Sequence, residues 1–400
     1  MDELPSYLVL KTDYKIWELY PNKMDLSDQY SKNDFVGLNV AVLSEDQPLV
    51  LPYLDQREAQ GVDFIKVKNY LQNKVAGEVS RDPEAVTIKK DETGNVVFEG
   101  HGLYGRKLDL DQAARMMQYA LKHNISYLHI PLIKTMPEVN IEDQSLKDLG
   151  ITELVSSGET NFANSPNNRI HNIKLGLNKF NGHIIKPAEE FVFGNVLGPV
   201  EGYTGFLPEL VIKGDRTLPE FGGGLCQVST TAYRSVLAAG FPVTMRRNHS
   251  YAVSYYTPYG LDATVYPPSV DFKFINDGPS HLLMQTFTIG AKAYYNLYGT
   301  KDNRDVTMIG PYYSGWISPP ATRKEFSNKL TPGEVQVVGH AVPGLNSVWY
   351  RHVIYKNAVD ENGAPKSFLE RIFSKYQARP NFFIVGQAAP VQNEAVTDTY

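Results

Sequence analysis

The segment FGGGLCQVSTTAYRSVLAAG places a run of three glycines, Gly222 to Gly224, just ahead of Cys226, the single cysteine of the chain. Glycines remove Cβ atoms where a backbone must turn sharply or let another group approach. Val228, Ala232, Val236 and Leu237 then describe the buried face of a helix from about Cys226 to Ala239, closed by Gly240. A thiol on the opening turn of a helix feels the positive end of the dipole and nearby unpaired N–H groups, and both favour the thiolate. The same N–H groups can hold an oxyanion during acyl transfer, so Gly223 and Gly224 count with the substrate-binding surface. A cysteine without context is most often small apolar filler; the glycine turn and the helix start are what argue for a nucleophile here. The run lacks the Lys-Ser/Thr of a phosphate loop, which excludes nucleotide binding of that kind.

A nucleophilic thiol needs a base, and MRRNHSYAVSYY supplies His249, 23 positions beyond the cysteine. An imidazole can take the thiol proton near neutrality and later protonate a departing amine. Asp262, in GLDAT after the TPYG turn, can orient that imidazole, although an aspartate beside a turn is ordinarily turn chemistry. Arg246 and Arg247 can receive a substrate carboxylate. Ser229 and Thr230, one helical turn past the cysteine, suit helix packing. The other eight histidines read as surface or structural residues. No HExxH or clustered ligand spacing occurs, so neither a metal nor another cofactor is expected.

These residues need a scaffold. The chain has 400 residues and 44.9 kDa, 42% apolar and 21% charged, which suits two or three globular domains. A net charge of -5 gives no broad footprint for nucleic acid. One cysteine excludes an intrachain disulfide and any multi-cysteine metal site. No apolar run approaches the roughly 20 residues that span a bilayer, and the acidic start MDELPSYLVLKTDYK lacks a secretory pattern. The protein is therefore expected to be cytoplasmic, or else exported by a segment outside this chain. Up to about residue 143 the pattern is α+β. Asp63 caps a helix with a Phe64, Val67, Leu71, Val75 stripe, and EAVTIKKDETGNVVFEG makes two strands about a turn. Asp109 and Gln112 open a second helix that stops near Asn124, and residues 126–133 make a buried strand. Residues from about 142 to 168 read as a polar connector. Ser165-Pro166 then starts a helix with Ile170, Ile173, Leu177 and Phe180 on one face. PVTMRR, YAVSYY, ATVYPP and VDFKFIN follow the cysteine helix as strands. Residues 331–386 form a small β-rich module, and 387–400 a tail.

The motifs NRIHNI, FNGHIIKPAEEFVF, VLGPVEGY, GGGLCQVSTTAY, AAGFPV, RRNHS, YYTPYGLDATVY and VDFKFIN occur here in the order found in the VanW-like domain, which residues 157–290 resemble. That family is associated with bacterial cell envelopes and takes its name from a glycopeptide-resistance cluster. Residues 1–143 resemble the peptidoglycan-binding domain that often precedes it, and 331–386 the small β modules that follow it in wall-associated proteins. Ala188 stands in KPAEEF where the family commonly has glycine, which questions one local turn.

The length and the pattern of elements predict an α+β, multi-domain architecture, with a central domain of helices and short strands between the two flanking segments. Some VanW-domain proteins are implicated as L,D-transpeptidases of peptidoglycan, with the motif cysteine as nucleophile. Carried onto this chain, that role falls to Cys226, with His249 as its base. The implied partners are peptidoglycan stem peptides and glycan, and the implied location is extracytoplasmic. Two other readings follow from the same residues: a non-enzymatic wall-binding or scaffold protein in which Cys226 only packs, and an accessory protein of glycopeptide resistance.

Overall fold

The computed structural model describes strands at residues 8–11, 16–19, 40–44 and 47–51, then residues 63–387 apart from 124, 126, 214, 215 and 362. The chain is α+β and divides into two compact units, Met1–Leu154 and Val155–Tyr400.

In the first unit the Asp63 carboxylate accepts from the amides of Ile65 and Lys66, at 2.7 and 3.1 Å, and so satisfies the first turn of helix Phe64–Leu71. A π turn, Gln72–Ala76, carries the chain on to Val79, and Val67, Leu71 and Val75 are fully buried. Asp109 caps helix Leu110–Lys122 through the Gln112 amide. Strands Glu84–Lys90 and Val96–Leu103 form the hairpin expected around the DETGN turn. The strand expected over residues 126–133 is instead two pieces, Tyr127–His129 and Leu132–Thr135. Pro131 lies at the break, where it offers no N–H to a ladder. Asn124 lies outside the described residues.

The second unit holds the cysteine. Its four-stranded sheet has the order Glu153–Asn161, Lys292–Gly299, Leu282–Ile289, Ile184–Ile185. Helix Leu225–Ala239 packs on the first two of these strands, and helix Asn167–Asn178 packs on the cysteine helix. Phe180, Phe191, Phe193, Phe272, Phe274 and Tyr295 fill one core with Val228, Ala232 and Val236 of the cysteine helix. Each such phenylalanine or valine contributes about 1.5–3 kcal/mol by leaving water.

Two expectations fail for opposite reasons. The presumed connector contains strand Glu153–Asn161, whose buried positions are Leu154, Ser156, Gly158 and Thr160. Small and hydroxylated residues line that face because they meet a helix backbone: Ser156 Oγ lies 2.9 Å from Ser235 Oγ, and Thr160 Oγ1 lies 2.7 Å from Thr231 Oγ1. Conversely, YAVSYY and ATVYPP are not strands. They lie in turns with a short 3-10 helix, Ser254–Tyr256, although Tyr251, Ala252, Tyr256, Ala263 and Val265 are buried. Side chains of neighbouring elements, not a strand ladder, satisfy much of that backbone. Helix Asn167–Asn178 also begins one position later than expected, with Pro166 as its cap residue. Ala188 keeps the questioned turn by adopting φ 62°, a left-handed conformation that costs a non-glycine residue roughly 1–2 kcal/mol.

C-terminal to this core, strands Arg304–Ile317, Gly344–Val359 and Pro365–Tyr376 form an antiparallel sheet within the same unit. Strand Phe382–Gly386 lies between Arg323–Ser327 and Val335–Gly339. Among the described residues no helix is long and apolar enough to cross a membrane.

Candidate active site

Gly224 is the cap residue of helix Leu225–Ala239, with φ 118°. The Leu225 amide donates to the Gly222 carbonyl at 3.0 Å and the Gln227 amide to the Gly224 carbonyl at 2.9 Å. Between them, the Cys226 N–H has no acceptor among the described hydrogen bonds, and it belongs to the positive end of a 15-residue helix. The Cys226 side chain is half-buried. Its sulfur lies 3.3 Å from Thr264 Oγ1 and 3.7 Å from the Val265 carbonyl. Ser229 and Thr230 explain that placement: Ser229 Oγ donates to the Ala263 carbonyl at 2.6 Å, and Thr230 Oγ1 accepts from the Ala263 amide at 3.0 Å. Both hydroxyls therefore pack, as expected, and in doing so they pin the loop that carries Asp262 and Thr264 to the cysteine helix.

His249 is buried and stacks on Tyr256, with ring centroids 4.7 Å apart. Its Nδ1 lies 2.5 Å from Asp262 Oδ2, and the same oxygen accepts from the His249 amide at 2.8 Å. A carboxylate that binds both the backbone and the ring of one residue fixes the rotamer and the tautomer. With Nδ1 held in this way, Nε2 is the ring nitrogen without a partner among the described hydrogen bonds, and the imidazole is near enough for its charge to act on the Cys226 thiol. Asp262 thus holds His249, and Cys226, His249 and Asp262 lie in one region that contains the residue types of a nucleophile, a base and an orienting acid.

Burial alone would raise the Cys226 thiol, but the hydrogen bond and charge of His249, with the Thr264 hydroxyl, bring it down to about 7. Burial would likewise depress His249, yet its hydrogen bond to Asp262 and the adjacent sulfur raise it to about 9. Asp262 is held well below the usual carboxylate range: burial acts upwards, and His249 and Arg246 outweigh it. The sulfur loses its proton above about 7 and the imidazole keeps its own below about 9, so a thiolate–imidazolium pair fills that window. Alkylation of Cys226 by iodoacetamide is therefore expected to rise with a midpoint near 7, not at the free-thiol value of about 8.5. Turnover that needs both the thiolate and the proton on His249 is expected to be bell-shaped, with limbs near 7 and 9. An alkylation midpoint at or above the free value of about 8.5 would show an unactivated thiol.

Not every residue singled out in the sequence serves the expected role. Arg246 is not free for a substrate carboxylate. Its Nε donates to the Asp262 carbonyl at 2.7 Å, Nη2 donates to the Gly260 carbonyl at 2.8 Å, and the side chain is 9% exposed. Arg246 instead braces the orienting acid, with Nη2 3.4 Å from Asp262 Oδ1. Gly223 and Gly224 are buried, and they face protein on the side where a Cβ would stand. A Cβ on Gly223 would come within 2.8 Å of Glu209 Cβ, and one on Gly224 within 3.2 Å of Arg169 Cγ. They permit close packing and the left-handed cap. Arg247 is exposed, and its carbonyl accepts from the Thr264 amide at 2.8 Å.

The fold also recruits residues that the sequence did not mark. Arg169, on helix Asn167–Asn178, lies with Cζ 4.8 Å over the Tyr255 ring and Nη2 3.4 Å from Gln227 Oε1. This cation beside the cysteine helix was visible only as part of the NRIHNI motif. Tyr376, 127 positions after His249, hydrogen bonds Asp262 Oδ1. Among the described residues no group of three His, Cys, Asp or Glu side chains is placed to hold a metal ion.

Residues 168–298 match the family model described as VanW like protein. The chain carries a VanW-like domain. Cys226, His249, Asp262 and Arg169 all fall inside the matched span, and Tyr376 falls outside it. The chain is 28% identical over 242 residues to the uncharacterized protein YoaR of Bacillus subtilis, which covers 60% of this chain and 76% of that protein. It is also 28% identical over 115 residues to the vancomycin B-type resistance protein VanW of Enterococcus faecalis, covering 28% of this chain and 42% of VanW. The alignment to VanW thus spans less than half of that relative. The VanW-like domain does not reach the C-terminal sheet that closes over its own Asp262.

Proposed function

We propose that this protein is a cell-envelope thiol acyltransferase, an L,D-transpeptidase acting on peptidoglycan stem peptides. The observation that carries the reading is the half-buried Cys226 thiol at a helix N-terminus, beside an imidazole locked by a buried carboxylate. The VanW-like match supports the envelope setting.

The Cys226 thiolate attacks the carbonyl carbon that precedes a terminal D-residue. The oxyanion forms against the Cys226 N–H, where the helix dipole stabilises it. As the C–N bond breaks, His249 gives its proton to the departing amine nitrogen and a thioester remains. The neutral side-chain amine of a second stem then attacks the thioester carbon. His249 takes its proton, the C–S bond breaks, and the thiolate is restored. With Arg246 committed to Asp262, Arg169 and the exposed Arg247 take the role of receiving the terminal carboxylate. Segments 1–143 and 331–386 add affinity for the wall and raise the effective concentration of stems.

The test is incubation of the protein with purified disaccharide tetrapeptide, followed by mass spectrometry. The expected products are the released terminal residue and a crosslinked dimer, both absent with Cys226→Ala. A wild-type chain that neither trims, exchanges nor crosslinks the substrate leaves a wall-binding or resistance-accessory protein in which Cys226 merely packs. Equal product from both chains would place the nucleophile elsewhere.

A further inference from the structure

His249 and Asp262 sit at the two ends of one loop, and the C-terminal sheet grips that loop along its length. Trp349 Nε1 and Ser347 Oγ both donate to the Tyr259 carbonyl at 2.9 Å, Ser374 Oγ donates to the Gly260 carbonyl at 3.0 Å, and the Tyr259 amide donates to Tyr313 Oη at 3.0 Å. Those four bonds hold backbone alone. Tyr376 differs, because its hydroxyl reaches the carboxylate itself.

The Gly260 amide donates to Tyr376 Oη at 2.8 Å. An amide can only donate, so the phenol accepts there and turns its own proton towards Asp262 Oδ1. Among the described residues that oxygen otherwise has only the Arg246 guanidinium at 3.4 Å, a weak contact, whereas Oδ2 is held twice by His249. Asp262 is 1% exposed and Tyr376 2%, so bulk water offers no ready substitute donor. The charged and titratable groups around the carboxylate are His249, Arg246 and Tyr376 in contact, with Arg234, Tyr233 and Tyr256 acting on it through charge; those around His249 are Asp262, Cys226 and the stacked Tyr256.

We propose that Tyr376 is a positioning residue for the Cys226 site: the C-terminal sheet, outside the VanW-like span, supplies the hydroxyl that keeps the Asp262 carboxylate turned towards His249. The proposal rests on the nucleophile reading of Cys226 and adds to it a second role for the C-terminal strands, as part of the site they cover.

Tyr376→Phe isolates the contact, since it deletes one oxygen and keeps the ring. Two consequences oppose one another, and their sign separates positioning from plain electrostatics. Loss of the donated proton makes the carboxylate a stronger acceptor for the imidazole, which would lower the thiol midpoint. Loss of the anchor also orphans the Gly260 N–H, and the freed carboxylate swings to satisfy it, away from His249, which raises the midpoint. The experiment measures iodoacetamide alkylation of Cys226 against pH in the full-length wild type, in Tyr376→Phe and in Tyr313→Phe. The last removes a phenol that caps the same loop without touching the carboxylate. Thermal melts confirm that each chain is folded. Positioning predicts an upward shift of about one unit in Tyr376→Phe, an approximately fivefold loss of alkylation rate at pH 7, and no shift in Tyr313→Phe. An unmoved or lowered midpoint in Tyr376→Phe overturns the assignment, and so does an equal rise in both variants. A wild-type midpoint near the free value of about 8.5 overturns the nucleophile reading itself, and the Tyr376 assignment with it. A wild-type midpoint near 7 that survives Tyr376→Phe overturns only the role given to Tyr376.

Discussion

An Asp262→Asn chain is expected to lose on the order of 10⁴-fold in turnover and to be less stable by about 3 kcal/mol or more. The reason is that no orientation of a carboxamide fits the site. If its oxygen takes the place of Oδ2, it can still accept from the His249 amide and ring, but its NH₂ then faces the Arg246 guanidinium and the Tyr376 hydroxyl proton, donor against donor. If the amide is flipped, its NH₂ opposes the His249 N–H and drives the ring proton onto Nε2, the position that must accept from the thiol. Either way Arg246, with 9% of its side chain exposed, loses the charge that compensates it. Removing one member of a buried ion pair is costly because the other remains desolvated. Three measurements check this: the urea midpoint, the rate of Cys226 alkylation at neutral pH, and product formation from disaccharide tetrapeptide. Retention of wild-type alkylation by a folded Asp262→Asn chain would remove Asp262 from the site's chemistry.

The second large effect lies away from the chemistry. Gly158→Ala is expected to destabilise the protein by about 3 kcal/mol, at the upper end of the usual overpacking range. A Cβ at Gly158 would stand 2.1 Å from the Thr231 carbonyl oxygen and 2.7 Å from the Ser235 amide nitrogen. Both are main-chain atoms of the cysteine helix, so no side-chain rotation relieves the clash, and helix and strand must separate. That separation stretches the Ser156–Ser235 and Thr160–Thr231 hydroxyl contacts, at 2.9 and 2.7 Å, on either side. The same helix carries Cys226 and, through Ser229 and Thr230, holds the Ala263 backbone. Thiol activation should therefore fall together with stability. Chemical denaturation of Gly158→Ala beside the wild type tests the packing argument; a change below about 1 kcal/mol would mean that the helix and strand can part at little cost.

Hydroxyl and glycine contacts of this kind explain why the strand was illegible. ELVSSGETN has no alternation of apolar and polar residues, because the helix it meets requires small and hydrogen-bonding groups on the buried face. The segments read as strands after the cysteine helix were misread for the converse reason. Their aromatic and β-branched residues are buried as strand residues would be, yet side chains of the cysteine helix satisfy backbone groups at Tyr256 and Ala263 that a ladder would otherwise pair. Composition registers burial, and it cannot tell which partner supplies the hydrogen bonds.

The amino-acid order alone settled the features that depend on neighbours a few positions apart: the capped helices at Asp63 and Asp109, the glycine turn, and the thiol on the opening turn that follows it. Short-range sterics and unpaired terminal N–H groups fix such features wherever the chain lies. It also nominated His249 and Asp262 by chemical type. Only the tertiary structure bound Arg246 to the backbone and carboxylate of Asp262 and brought Arg169 beside the cysteine helix. It likewise closed the site with Tyr376 from a distant strand. Hydrogen bonds and charges act over a few ångströms, and the contacts that join positions 226, 249, 262 and 376 exist only after the chain has folded back on itself.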